Sequence, residues 1–118
     1  MAHHQNTGNL GESMAENYLV SNGYIILHRN WRYAHWEVDI IAVKNGKLHF
    51  VEVKTRRTTT FGYPEEDVSR KKMKNLLGAA EEFLLQYPQW KLIQFDIISI
   101  IITKGCEPDF LLIEDVYL

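Results

Sequence analysis

This sequence predicts an α/β domain in which helices cover a mixed sheet. Three observations carry that reading. Trp36 to Arg57 reads as two apolar-rich strands joined by Asn45-Gly46, the strongest short-range hairpin signal. On either side of it, Asn9 to Asn22 and Val68 to Tyr87 repeat apolar residues at helical spacing. Beyond the second helix, Trp90 to Ile102 carries an apolar run suited to a strand buried on both faces. The order helix, three strands, helix, long strand and short strand gives helices packed on a mixed sheet.

In the first helix Met14, Ala15, Tyr18 and Leu19 form one apolar stripe, and Gly23 is placed to end it. Glu12 lies at the edge of that stripe, able to point into a site between helix and sheet. Asn9 followed three residues later by Glu12 also resembles a capping box, and spacing alone favours the cap. Residues 1–8 are polar and expected to be a flexible lead-in, with His3 and His4 incidental there; residues 9–118 are expected to form a single domain. Tyr24 to Tyr33 is rich in β-branched and aromatic residues and reads as a strand. Its Arg29 and Arg32 are candidate phosphate contacts, although single surface arginines are more often neutral. Ala34 and His35 turn the chain into the hairpin.

Side chains alternate faces along a strand, so Glu37, Asp39, Ile41 and Val43 share one face. Leu48, Phe50, Glu52 and Lys54 share a face of the second strand. A two-residue turn at Asn45-Gly46 pairs Lys44 with Lys47, Asp39 with Glu52 and Glu37 with Lys54. Asp39 and Glu52 are then a non-hydrogen-bonded pair, with Cα atoms about 4.5 Å apart. Opposed like charges destabilise a sheet, and a divalent cation reverses the sign of that effect. A bulge near Asp39 would shift the register.

After the hairpin, Thr55 to Asp67 shows no period and reads as a loop. It begins with Arg56 and Arg57 and carries Phe61 and Tyr63, which could stack on bases; Phe61 tucked into the core is an equal reading. The second helix places Met73, Leu76, Leu77, Ala80, Phe83 and Leu84 on one face, with Lys71 nearly opposite and Arg70 and Lys72 flanking. Pro88 stops it. Gln94 and Asp96 are polar entries on one face of the long strand. Gly105 to Pro108 makes a turn before the final strand, Phe110 to Ile113.

At 118 residues, 46% hydrophobic and 24% charged, the chain suits one modest core. The lone Cys106 excludes an internal disulfide framework and a cysteine-based zinc site, and it suits the reducing cytoplasm. No signal-peptide core is present, and no run approaches the ~20 apolar residues of a membrane span. Net charge is −2, so the chain is not globally basic. Between Lys54 and Lys74, however, seven basic residues face three acidic ones. A positive patch beside the hairpin is one reading of that run; a solvated helix face is the commoner one.

The carboxylates of Asp39 and Glu52 suit one or two hard cations such as Mg²⁺, with the Val53 carbonyl as a further ligand. Such a site suits phosphodiester hydrolysis, because the metal polarises the phosphate and acidifies water. Surrounding carboxylates favour the charged form of Lys54, so its preferred role is to orient water or stabilise the pentavalent phosphorus. Direct proton abstraction is the runner-up. The bland reading is a Glu37–Lys54 cross-strand salt bridge in an ordinary sheet.

Gly11-Glu12, Tyr18-Leu19, Arg29-Asn30-Trp31-Arg32, Glu37-Val38-Asp39, Phe50-Val51-Glu52-Val53-Lys54 and Phe95-Asp96 together resemble the YraN-type family of small bacterial proteins. The resemblance runs from about Gly8 to Ile102. It implies a restriction-endonuclease-like αβββαβ core, similar to that of Holliday-junction resolvases. It also implies a nuclease site of Glu12, Asp39, Glu52 and Lys54, and favours metal binding over capping for Glu12. The chain departs from the family where Trp36 replaces a usual Gly and Gln94 a usual Arg; the first bears on access to the site, the second removes one phosphate contact. The resulting expectation is a Mg²⁺- (or Mn²⁺-) dependent nuclease acting on DNA, branched DNA in repair or recombination being one candidate substrate. Arg29, Arg32, Arg56, Arg57, Arg70, Lys71 and Lys72 would contact nucleic acid, and a homodimer would supply two sites for two strands. The alternative is a non-catalytic nucleic-acid-binding module on the same fold; a purely structural partner protein is a third.

Overall fold

The Asn45-Gly46 turn forms as its residues dictate, with φ of +53° and +75°. Two consecutive positive φ values make the type I′ turn whose twist matches that of the flanking strands. The computed structural model describes residues 3–58 and 70–116. Helix α1 (His3–Ser21) precedes strands β1 (Ile25–Tyr33), β2 (Trp36–Lys44) and β3 (Lys47–Thr58). Helix α2 (Arg70–Gln86) leads to β4 (Ile93–Thr103) and β5 (Asp109–Ile113).

The five strands form one sheet in the order β1-β2-β3-β4-β5. β1 and β2 pair antiparallel, as do β2 and β3; β3 and β4 are parallel, and β5 returns antiparallel to β4. The parallel step needs a crossover, and α2 lies within it. The sheet is therefore mixed, and its αβββαβ order is compatible with a restriction-endonuclease-like core.

The helices cover opposite faces. Ala15 and Leu19 of α1 pack with Ile40, Ala42, Val51, Ile98 and Ile100. Leu76, Ala79, Ala80 and Phe83 of α2 pack with Val38, Ile41, Leu48 and Phe50. β3 is thus covered on both sides, which is why its apolar residues fall on both. At the end of α1, Gly23 adopts φ +90°, and the N–H groups of Gly23 and Tyr24 donate to the carbonyls of Val20 and Leu19. The helix ends where the sequence places its stop.

Three boundaries differ from the sequence expectation by three residues or more. α1 begins at His3, so the expected lead-in from His3 to Gly8 is helical and Asn9 is not its N-cap. Once the Met14–Leu19 stripe nucleates the helix, polar residues without proline can extend it. Thr55 to Thr58 continue β3 rather than opening a loop, because β4 pairs with them through Ile100 to Thr103. β4 starts at Ile93 rather than Trp90, as Trp90 is still turning, its N–H on the Tyr87 carbonyl. Phe61 and Tyr63 lie outside the described residues.

The hairpin register runs as expected from Lys44–Lys47 to Ile40–Val51 and stops there. Beyond that point strict alternation fails. Val38 and Ile41, three residues apart, both face α2, whereas Ile40 and Ala42 face α1. The break falls at Asp39. Across the sheet, between the Arg29–Ile40 and Trp31–Val38 pairs, Asn30 has φ +55°. Asparagine tolerates that left-handed conformation better than most residues.

Candidate functional site

Where the hairpin ladder ends, the sheet opens into a cleft of about 600 Å³ between α1 and α2. Glu12, Asp39, Glu52, Val53, Lys54 and Lys72 all line it. Each arrives for a local reason. Gly11 lets α1 lie against β3, since a Cβ there would collide with Thr55 Oγ1. That close approach carries Glu12 to the sheet, where Asn30 Nδ2 donates to its Oε1 at 2.9 Å.

Asp39 does not form a ladder pair with Glu52. Its Oδ2 instead accepts the Val53 N–H at 2.8 Å, the donor that would otherwise meet the Val38 carbonyl. Burial pushes the Asp39 carboxyl up to about 7, with Glu52, Glu12 and Glu37 adding to the rise and the Val53 N–H opposing it. Burial raises Glu52 as well, while Lys72 pulls it back. Lys72 Nζ stands 3.4 Å from Glu52 Oε2. The two carboxylates thus carry more negative charge than their surroundings readily hold, and a cation would relieve it.

The donor chemistry fits Mg²⁺ or Mn²⁺: hard carboxylate oxygens from Asp39 and Glu52, with Glu12 lining the same cleft. Among the described residues, no three His, Cys, Asp or Glu side chains already converge on one point. A Mg²⁺ ion accepts few protein ligands and completes its shell with water and phosphate oxygens, so two carboxylates and the Val53 carbonyl suffice.

The predicted basic residues divide. Arg57 and Lys72 line the cleft, and Arg56 precedes Arg57 on β3. Lys71 is exposed on α2, and Arg70 opens that helix, its side chain outside the described residues. Arg29 sits 3.5 Å from Glu12 and 3.6 Å from Glu16. Arg32 pairs with Glu37 at 3.1 Å, which engages Glu37 away from the expected Lys54 ladder position. His35 and Asn75 also line the cleft and were not among the expected site residues. Asn75 follows Lys72 by three positions, the spacing that puts two side chains on one helix face.

The family model described as "Uncharacterised protein family UPF0102" matches residues 11–100. The chain belongs to the UPF0102 family. This is the YraN-like family that its motifs resemble. A UPF0102 protein of Bacteroides thetaiotaomicron is 44% identical over 105 residues, covering 89% of this chain and 87% of its own length. One from Dictyoglomus thermophilum is 46% identical over 99 residues, or 83% and 84% of the two chains. One from Rhodococcus opacus is 38% identical over 118 residues, 99% of this chain and all of its own. The UPF0102 match takes in every acidic residue of the cleft named above. Among the described residues, no helix is long and apolar enough to cross a membrane.

Proposed function

We propose that this UPF0102 chain is a Mg²⁺- (or Mn²⁺-) dependent nuclease that hydrolyses phosphodiester bonds of DNA, with branched DNA in repair or recombination among its candidate substrates. The observation that carries the reading is the Asp39–Glu52 pair: two crowded carboxylates lining a cleft that also holds Glu12 and Lys54. Asp39, Glu52 and the Val53 carbonyl would hold the metal, with Glu12 completing the acidic wall. When bound, the metal supplies charge neutralisation at the phosphate and acidifies water. Lys54 presents an ammonium that orients water or stabilises the charge developing on phosphorus. Arg57 and Lys72 lie where the phosphate backbone would run. A second copy of the chain would supply the site for the second strand.

A non-catalytic nucleic-acid-binding module is the second reading. It is favoured by Lys72, whose ammonium already stands beside Glu52 where a cation would bind. Purified protein incubated with Mg²⁺ or Mn²⁺ on linear, flapped and four-way DNA separates the two. Cleavage abolished by Asp39→Asn and strongly reduced by Lys54→Ala is the expected result. Cleavage unchanged in both variants would remove the site assignment. Binding without cleavage of any substrate would favour the module.

A further inference from the structure

A second polar cluster lies at the other end of β3, against the Asn45-Gly46 turn. Roughly 16 Å of strand separates His49 from Lys54, at about 3.3 Å per residue. His49 Nδ1 meets Asp96 Oδ2 at 2.6 Å, and the two side chains are 6% and 0% exposed. Gln94 Nε2 and the Asp115 N–H both donate to the other Asp96 oxygen, at 2.8 and 3.0 Å. Burial pushes the Asp96 carboxyl up, but the bonds from His49, Asp115 and Gln94 outweigh it and hold the group below its ordinary range. Asp96 therefore stays ionised and fixes one edge of the imidazole.

The other ring nitrogen has no such anchor. Among the described residues, His49 Nε2 has no hydrogen-bond partner, although the side chain is more than nine-tenths buried. His49 lines a recess of about 270 Å³ with Tyr24, Lys44, Lys47, Gln94 and Glu114. Neither lysine has a carboxylate partner among the described residues. Lys44 Nζ sits over the Tyr24 ring, 4.9 Å from its centroid. Lys47 Nζ donates to the neutral Gln94 Oε1 at 3.2 Å. Burial, with Asp96 and Glu114 nearby, pushes the Tyr24 hydroxyl up to about 12, so it remains a phenol.

Two ammonium groups without carboxylate partners, a fixed imidazole nitrogen and a phenol converge on a recess of modest size. A metal cation would meet both lysines there, whereas an oxyanion would meet their ammonium donors and the Tyr24 hydroxyl. Among the described residues, Glu114 is the one acidic side chain on the wall, and Asp96 is shielded behind its three donors. We propose that this recess is an oxyanion site for a phosphate group, held by the ammonium groups of Lys44 and Lys47, with His49 Nε2 donating to it when both ring nitrogens carry a proton, since the Nδ1–H is committed to Asp96. The Asp96–His49 pair pre-organises the imidazole, and the Gln94 amide holds both Asp96 and Lys47 in place. The phosphate comes either from a nucleic-acid backbone or from a free phosphate or monoester. The site stands apart from the carboxylate cleft and does not depend on the nuclease reading.

Imidazole nitrogen NMR on the full chain tests this, with inorganic phosphate added at constant pH and ionic strength. A saturable shift of the His49 Nε2 resonance is expected. Binding should weaken at least about tenfold in a Lys44→Ala, Lys47→Ala double variant, the loss of charge-assisted contacts. Both lysines are half-buried beside the turn, and amide spectra show whether the variant keeps its fold. A short oligonucleotide lacking terminal phosphates is the second probe. If it competes with phosphate, the ligand is the diester backbone; if phosphate binds and the oligonucleotide does not compete, it is a free phosphate or monoester. A His49 resonance that neither probe moves, or that moves equally in the double variant, overturns the proposal.

Discussion

Asp39 Oδ2 accepts the Val53 N–H at 2.8 Å, so a side chain replaces a main-chain carbonyl in the ladder. The β2–β3 ladder thereby ends in front of the cleft while the donor stays satisfied. A buried amide without an acceptor would cost about 1–3 kcal/mol. The same carboxylate therefore stabilises the hairpin and crowds the site with charge.

That double role gives a pH signature. The folded Asp39 carboxyl sits near 7, above its unfolded value of 3.8, chiefly through burial. Protonation thus favours the folded state. The contribution of this group to stability should rise as pH falls from above 7 towards 4, opposite to an ordinary salt-bridged carboxylate. Denaturant unfolding across that range should show the slope in the parent chain and a flatter profile in Asp39→Asn, whose amide oxygen can still accept from Val53. Mn²⁺ should raise the parent's thermal midpoint above pH 7 and leave Asp39→Asn unchanged.

Burial raises the Glu52 carboxyl, and Lys72, whose Nζ stands 3.4 Å from its Oε2, pulls it back. Lys72→Ala should therefore raise the affinity for Mn²⁺ in calorimetry while weakening binding to DNA. A residue that served nucleic acid alone would leave the metal affinity unchanged.

Asp96 is fully buried and accepts three hydrogen bonds. Asp96→Ala leaves the His49 and Gln94 donors buried and unmatched, and should cost about 3–5 kcal/mol in denaturant unfolding. Because its folded carboxyl lies below the ordinary range, its contribution is present at neutral pH. It should be lost only as pH falls through the depressed value, below the usual carboxylate titration.

Gly11→Ala should destabilise by roughly 1–3 kcal/mol, because the added methyl meets Thr55 Oγ1 at a packed helix–strand contact. Adding Thr55→Ala should recover much of the loss. Full destabilisation in the double variant would mean that the contact is not what limits the helix.

Much of this was legible from local sequence. Asn45-Gly46 fixed the register as far as Ile40–Val51, and the Met14–Leu19 stripe put α1 on the sheet with Glu12 at its edge. The shared cleft followed from those two placements. What escaped was non-local. Thr55 to Thr58 are polar and show no alternation, and only pairing with distant β4 makes them strand. Gln94 and Asp96 stood out as polar residues on one face of β4. Their partner His49 could not be found, because the parallel register that aligns it with Gln94 has no signature in either segment. The turn of Asp39 into the sheet plane was likewise hidden, since alternation alone puts its side chain perpendicular to the sheet.

Trp36 and Gly78 carry a different lesson. A Cβ on Gly78 would come within 2.7 Å of the Trp36 ring, so the indole fills the space that the glycine leaves on α2. Each residue constrains which changes the other can accept. A side chain at position 78 is admissible only after position 36 has shrunk, whereas the reverse order passes through a collision. The two positions therefore form a one-way street in sequence space: Trp36→Gly first and Gly78→Ala second is a passable route, and Gly78→Ala first is not.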